Sequence, residues 1–221
     1  MDVDGFLRDI RGSAAYRGQI VHVHEVPPRP PRYAEPQPQL APAARRLLEA
    51  MGVSRLWRHQ AEALEALRAG RDALVVTGPA SGKSLCYVVP IVEMLASGGG
   101  RALLLFPTKA LCQDQHQSFR AGLEAAGLGR TPTGVYDGDT PATMRRRLRD
   151  RAAAVFSNPD MLHAAVMPQH ARWAAFLAEL RWLVLDELHV YSGIFGANMA
   201  NLLRRLERLC EHYGSRPQVV A

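Results

Sequence analysis

The sequence contains little lysine and little cysteine. Only Lys83 and Lys109 are lysine among its 27 basic residues, and all the others are arginine. The three cysteines, Cys86, Cys112 and Cys210, stand far apart and form no CxxC pair. That spacing argues against a disulfide framework or a metal knuckle, and it favours a reducing, cytoplasmic location.

Long apolar runs are also missing. No stretch approaches the ~18 consecutive apolar residues that a membrane span needs. The first residues, MDVDGFLRDIRG, carry acids where a secretory signal carries bases. With 48% hydrophobic and 22% charged residues, the composition excludes disordered and collagen-like classes. We therefore expect a soluble globular chain with no membrane partner.

The charge balance is positive. A formal net charge of +6 over 221 residues favours a polyanionic partner over an acidic one. The shortage of lysine indicates a coding bias toward arginine, so most arginines carry no functional information. A lysine retained in such a background marks a place where a compact ammonium is needed.

Residues 1–42 differ from the rest of the chain. The segment GQIVHVHEV (18–26) alternates like a short strand, and PPRPPRYAEPQPQLAP after it is typical of extended, polyproline-like chain. The sequence thus predicts an N-terminal arm over 1–42 and a folded domain over 43–221.

From Leu47 onward, apolar strands alternate with helices. The predicted strands are 72–77, 102–106, 133–137, 153–157, 182–187 and 218–221. The predicted helices are 58–69, 83–96, 108–126, 141–150, 159–166, 169–179 and 196–212. This alternation predicts an α/β fold, a parallel sheet with helices on both faces. Ligands of such sheets bind beyond the carboxyl ends of the strands.

The segment VVTGPASGKSLCY (75–87) carries the strongest functional pattern. A predicted strand enters a loop of small residues, and the loop N–H groups together with the helix that follows form an anion nest. We expect Lys83 to reach the β- and γ-phosphates of ATP and the Ser84 hydroxyl to coordinate Mg²⁺. Thr77 stands where the usual pattern has its first glycine. The predicted nucleotide-binding residues here are Thr77, Gly78, Pro79, Ala80, Ser81, Gly82, Lys83 and Ser84.

Two adjacent carboxylates end a later apolar strand in VLDELH (184–189). Phosphoryl transfer to water needs one group that holds the metal and another that orients or deprotonates the water. Asp186 is predicted to hold Mg²⁺, and Glu187 is predicted to act on the water. With Lys83 they form the predicted catalytic set.

Three other predicted strands each lead directly into a helix. Consecutive helix N-termini at one sheet edge can track the phosphodiester backbone of a single strand. The alternative is that these residues only cap their helices. The predicted nucleic-acid-binding residues are Pro107, Thr108, Lys109, Thr140, Asn158 and Pro159.

In this order, the motifs resemble the first RecA-like domain of superfamily 2 helicases of the DExH type. GKS corresponds to motif I, PTK to motif Ia, NPD to the region of motif Ib, and DELH to motif II. The segments GQIVHVHEV, PASGKSLCY, YDGDT and DELHVYSGIFGANMANLLRRL are similar to the YprA/Mrf-like DEAD/DEAH-box DNA helicases. Members often have threonine where Val190 stands and arginine where Ser192 stands.

The resemblance implies a RecA-like P-loop NTPase fold and an ATPase that is stimulated by DNA, moves 3′→5′ on a single strand and acts in DNA repair. It also implies that Gln60 contacts the adenine. The residues alone do not distinguish DNA from RNA. Because the chain stops before motif III, we expect the second RecA-like domain to be a missing partner. An RNA helicase domain, and a lone binding module without turnover, remain alternatives.

Overall fold

The computed structural model describes residues 2–27, 30–78 and 81–221, and it divides the chain into two units, Met1–Pro31 and Arg32–Ala221. The first unit contains helix α1 (Val3–Gly12), where the Asp2 carboxylate accepts a hydrogen bond from the Gly5 N–H at 2.8 Å. The strand predicted over 18–26 is wrong. Its alternation is present, but no described residue pairs with it, and a strand needs a partner. Pro28 and Arg29 of the proline-rich stretch lie outside the described residues.

The second unit is built on a five-stranded sheet in the order β2-β3-β1-β4-β5, with every pair parallel. Its strands are β1 (Arg101–Leu105), β2 (Thr133–Val135), β3 (Ala154–Ser157), β4 (Leu180–Leu185) and β5 (Gln218–Val220). The main helices are α2 (Pro42–Ala50), α3 (Arg58–Arg68), α4 (Leu85–Ala96), α5 (Lys109–Ala125), α6 (Ala142–Arg151), α7 (Pro159–Met161), α8 (Ala174–Ala178) and α9 (Gly193–His212). A π-helical turn and a 3₁₀ segment join α7 to α8. This sheet confirms the predicted α/β fold.

Each face of the sheet has its own hydrophobic core because successive strand residues point to opposite sides. In β1, Ala102 and Leu104 pack into the core formed with α2 to α5. Leu103 and Leu105 pack into the other core, formed with α6 to α9. Burial on both faces explains why the strands read as continuous apolar runs.

The strand predicted over 72–77 does not form as a strand. The segment lies beside β5, where the Ala73 and Val75 N–H groups donate to the carbonyls of Val219 and Ala221 at 2.9 and 2.7 Å. The only bridge there, among the described residues, joins Ala73 to Val220. The local pattern is that of a strand, but beyond Val75 the segment makes no backbone hydrogen bond to a described residue. The side chain of Val76 is 84% exposed.

The last part of the proline-rich segment packs on the second unit. The Gln37 N–H donates to Glu65 Oε1 at 2.9 Å, and the Ala41 N–H donates to Glu93 Oε1 at 3.0 Å. Glu93 also pairs with Arg68 at 2.7 Å, with both side chains largely buried. These bonds attach residues 37–41 to α3 and α4. The domain boundary at residue 42 stays a prediction.

Candidate active site

The loop before α4 is closed by its own side chains. The hydroxyl oxygens of Thr77 and Ser81 lie 2.6 Å apart, and Gly82 has φ of +72°. A Cβ atom at Gly82 would come within 2.7 Å of Gln60 Nε2, so only glycine fits without displacing that side chain. Thr77 thus contributes a hydrogen bond where the usual pattern has glycine. Pro79 and Ala80 lie outside the described residues.

Gln60 is the side chain that attaches this loop to α3. It is 2% exposed, its Nε2 donates to the Gly82 carbonyl at 2.9 Å, and its Oε1 accepts from the Trp57 N–H at 2.9 Å. Both ends of the amide are therefore used inside the protein. The contact to adenine stays a prediction.

Asp186 follows β4 directly, and its N–H continues the sheet by donating to the Leu105 carbonyl at 3.0 Å. Its Oδ1 accepts from the Glu187 N–H at 2.9 Å, and its Oδ2 accepts from the Tyr87 hydroxyl at 3.1 Å. Each carboxylate oxygen keeps a second lone pair for another partner. The carboxylate is thus oriented by two bonds and still able to bind a cation.

Glu187 has a strained backbone. Its φ and ψ are 52° and 45°, and among the described residues it is the one non-glycine with positive φ. Such strain costs about 1–3 kcal/mol and concentrates at functional sites. The side chain is paired with His189, whose Nδ1 lies 3.2 Å from Glu187 Oε2.

Sequence reasoning missed Tyr87. Its hydroxyl contacts Asp186, and it also lies 3.4 Å from Gln115 Oε1 on α5. Burial, followed by the charge of Asp186, raises the pKa of this phenol. It therefore remains a hydrogen-bond donor at any pH the protein meets. Its place three residues after Ser84, one helical turn into α4, was the signal that could have identified it.

Tyr87, Asp186 and Glu187 line one cavity of about 760 Å³, together with Thr77 and Lys83. The other described residues predicted to bind the nucleotide are not among its lining residues: Gln60, Gly78, Ser81, Gly82 and Ser84. No carboxylate of the described part of the chain lies within 4 Å of the Lys83 ammonium. The cavity therefore combines an ammonium with two carboxylates, and the loop that contains Gly82 precedes Lys83 directly. Such an arrangement can bind a phosphate chain with its metal.

The donors fit Mg²⁺. The Asp186 carboxylate and the Ser84 hydroxyl are hard oxygen ligands, and Ser84 makes no capping bond to α4. The described residues contain no cluster of three His, Cys, Asp or Glu side chains. Mg²⁺ is commonly bound by one or two protein oxygens together with substrate phosphates, and this sparse donor set matches that pattern.

Lys109 lies on the same sheet edge, after β1. Its ammonium forms an ion pair with Asp139 and lies 3.9 Å from Asp137 Oδ2. The hydrogen bond to Asp139 raises the pKa of Lys109. Thr108, just before it, caps α5 by accepting from the Leu111 N–H at 3.3 Å.

The prediction that Thr140 caps α6 is wrong. The capping position belongs to Pro141. The Thr140 hydroxyl donates to Asp137 Oδ1 at 2.9 Å and lies 3.0 Å from the Val135 carbonyl oxygen. Its oxygen accepts from the Asp137 N–H at 2.9 Å, so it bonds within the loop and not to an N–H group of the helix. Arg145 completes the loop by donating to the carbonyls of residues 137, 138 and 140. This YDGDT loop is a rigid unit.

Asp137 is the buried centre of the YDGDT loop, 5% exposed. Burial alone would raise the pKa of its carboxyl. Hydrogen bonds from the Thr140 hydroxyl and the Asp139 N–H, with the charge of Lys109, outweigh burial and lower that pKa below its ordinary value of 3.8. The carboxylate is therefore charged in the folded chain.

The third predicted strand end contains Asn158 and Pro159. Asn158 Oδ1 accepts from the Met161 N–H at 2.8 Å, and Pro159 is the first residue of α7. Neither lines the 760 Å³ cavity, and the same holds for Pro107, Thr108, Lys109 and Thr140. The structure thus separates the predicted catalytic residues, which line the cavity, from the predicted nucleic-acid residues, which are spread along the edge. Among the described residues, no helix is both long enough and apolar enough to span a bilayer.

Comparison with protein families and with curated relatives identifies helicases in both cases. The DEAD/DEAH box helicase family pattern matches residues 57–221. The Bacillus subtilis protein described as an uncharacterized ATP-dependent helicase, YprA, is 38% identical over 213 residues, which cover 96% of this chain and 28% of the relative. The Saccharomyces cerevisiae ATP-dependent helicase HRQ1 is 36% identical over 206 residues, covering 92% of this chain and 19% of the relative.

Solved structures agree with these relatives. The crystal structure of the DUF1998 helicase MrfA bound to DNA and AMPPNP matches with a TM-score of 0.89 and 35% identity, covering 98% of this chain and 30% of that one. Mss116p bound to ssRNA and AMP-PNP, at 15% identity and a TM-score of 0.64, shows the fold alone. The predicted RecA-like fold is confirmed. The chain spans less than a third of the length of these curated relatives.

Proposed function

Because this chain belongs to the DEAD/DEAH box helicase family, we propose that it is the ATP-binding motor domain of an ATP-dependent helicase that acts on single-stranded DNA. The observation that carries the proposal is the cavity that Lys83, Asp186 and Glu187 line together. Their positions at the carboxyl edge of a parallel sheet are those of a nucleotide site.

The residues divide the work by their chemistry. The Lys83 ammonium binds the β- and γ-phosphates, and loop N–H groups support them. Ser84 and Asp186 hold Mg²⁺, which supplies charge neutralisation on the phosphates when bound. Tyr87 orients the Asp186 carboxylate through its hydroxyl. Glu187 accepts a proton from the water that attacks the γ-phosphate.

The nucleic-acid surface is the rest of the same edge. Thr108, Lys109 and the YDGDT loop follow β1 and β2, and Asn158 follows β3. Single-stranded DNA is favoured over RNA because MrfA is named as DNA-bound at 35% identity. An RNA strand is the second candidate, because the residues alone do not distinguish the two sugars. The same proposal includes movement in the 3′→5′ direction and a role in DNA repair. It also includes a second RecA-like domain that supplies the rest of the ATP site.

The test is binding of a fluorescent ATP analogue, measured with Mg²⁺ and with EDTA, for the chain of residues 1–221. We expect Mg²⁺-dependent binding, and we expect Asp186→Asn to lose the Mg²⁺ dependence. Asp150→Asn, at an exposed carboxylate on α6, is the matched control and should behave like the unmodified chain.

A second arm compares single-stranded DNA and RNA of one sequence. Tighter binding to DNA supports the proposal, and equal or tighter binding to RNA replaces it with the second candidate. If the chain binds the ATP analogue neither with nor without Mg²⁺, the nucleotide site itself is refuted.

A further inference from the structure

A second groove lies between α7 and α9, outside the nucleotide cavity. Its volume is about 310 Å³, within the size range of small-ligand sites. Pro159, Asp160 and His163 form one wall, and Phe195, Asn198 and Arg205 are among the residues of the other. We call it the Phe195 groove. No role assigned above uses any of its residues except Pro159.

The groove contains hydrogen-bond donors and acceptors, and its charged side chains include both a positive and a negative one. Arg205 Nη1 lies 3.2 Å from His163 Nδ1, while Asp160 adds a carboxylate and Asn198 an amide. A phosphate site would not include a carboxylate, because like charges repel at such distances. The edge of a nucleobase presents amino groups, ring nitrogens and carbonyls together, and it suits carboxylate, amide and guanidinium partners.

Phe195 supplies an apolar face to the same groove. It is 40% exposed although it lies in the first turn of α9, and its ring centroid is 5.3 Å from that of Tyr191. The turn is packed tightly, since a Cβ atom at Gly196 would come within 2.5 Å of the Tyr191 carbonyl oxygen. The exposed ring of Phe195 therefore lines the groove beside a second aromatic ring, where a base can stack on it.

The groove adjoins the proposed path of the strand. Pro159 belongs both to the predicted nucleic-acid segment and to the groove wall, so a strand on that segment has the groove beside it. We propose that the Phe195 groove receives one unpaired base of the bound single strand, which stacks on Phe195 while Asp160, Asn198 and Arg205 contact its edge. This inference rests on the proposed function, because it needs a single strand on this sheet edge.

The experiment measures the affinity of residues 1–221 for a mixed-sequence single-stranded DNA and for the same strand with abasic sugars throughout. The two strands share their phosphates and differ only in their bases. We expect Phe195→Ala to weaken binding of the base-containing strand about fivefold or more and to leave binding of the abasic strand unchanged. Phe195→Tyr keeps the ring and should retain the base-dependent affinity.

Ile194→Ala is the matched control, since Ile194 is 84% exposed, precedes Phe195 and does not line the groove. It should change neither affinity. The proposal is overturned if Phe195→Ala weakens binding of both strands equally, or if it weakens binding of neither. It is likewise overturned if the groove binds a protein segment and Phe195→Ala leaves DNA binding unchanged. If the unmodified chain binds neither strand, the proposed function fails as well, so the two failures are distinguishable.

Discussion

The two lysines of the chain lie on one sheet edge in opposite surroundings. Lys83 lines the nucleotide cavity, and the described residues place no carboxylate within 4 Å of it. Lys109 is already paired with Asp139 and lies close to the buried Asp137. A phosphate can therefore bind the Lys83 ammonium directly, whereas at Lys109 it must first displace the Asp139 carboxylate of the same chain.

The largest expected effect separates the two sites. Lys83→Ala should weaken binding of the ATP analogue about tenfold to a hundredfold, since a charge-assisted contact to phosphate is lost. Lys109→Ala should leave ATP binding unchanged and lower single-strand affinity, with a salt dependence reduced by about one phosphate contact. Titrations of both ligands over a salt series check this. Loss of ATP binding in both variants would break the comparison.

A smaller effect concerns the carboxylate behind Lys109. The folded-state pKa of Asp137 is lowered, so its contribution to stability is complete above the unfolded pKa and is lost as pH falls through the folded value. Asp137→Asn should lower the free energy of unfolding by about 1–2 kcal/mol at pH 7. Urea unfolding measures the free energy of unfolding of both chains at pH 7, 5 and 3. The difference between the unmodified chain and Asp137→Asn should be equal at pH 7 and 5 and smaller at pH 3. A change of that difference between pH 7 and 5, with the unmodified chain gaining stability relative to Asp137→Asn as pH falls, would mean that burial had raised the pKa of Asp137 instead.

The smallest effect has the opposite sign to the first. Asp139→Asn removes the partner that a phosphate must displace from Lys109, so single-strand affinity should increase roughly two- to fivefold, the range of an exposed ion pair. Fluorescence anisotropy at low salt measures it, because screening hides such pairs at high salt. Asp150→Asn changes the net charge equally and is the control. If both variants bind more tightly to the same extent, the gain comes from net charge and not from Lys109.

The sequence predicted the layers of the fold well, because they depend on local patterns. The helix over 58–69 and the strand before Asp186 are confirmed, since apolar periodicity is a property of neighbouring residues. The bond between Tyr87 and Asp186 joins residues 99 positions apart, and no local pattern contains it. The ion pair of Lys109 with Asp139 also joins residues distant in the sequence, so no local pattern predicts it.

Two errors show where local patterns mislead. The segment 72–77 has the composition of a strand, but a strand is defined by its partner, and among the described residues only the bridge of Ala73 to Val220 forms there. Thr140 has the residue type and position of a helix cap, but its oxygen accepts from the Asp137 N–H within the loop and not from an N–H group of α6. In both cases tertiary neighbours decided between two locally acceptable structures.

The left-handed backbone at Glu187 has a consequence for anyone who engineers this domain. Glycine at 187 would relax the backbone there, so a search for thermostable variants scored on melting temperature alone would favour losing the carboxylate. Stability and chemistry thus compete at a single position. Stabilising substitutions should be sought first on the helices of the far faces, and position 187 should be kept constant in any library.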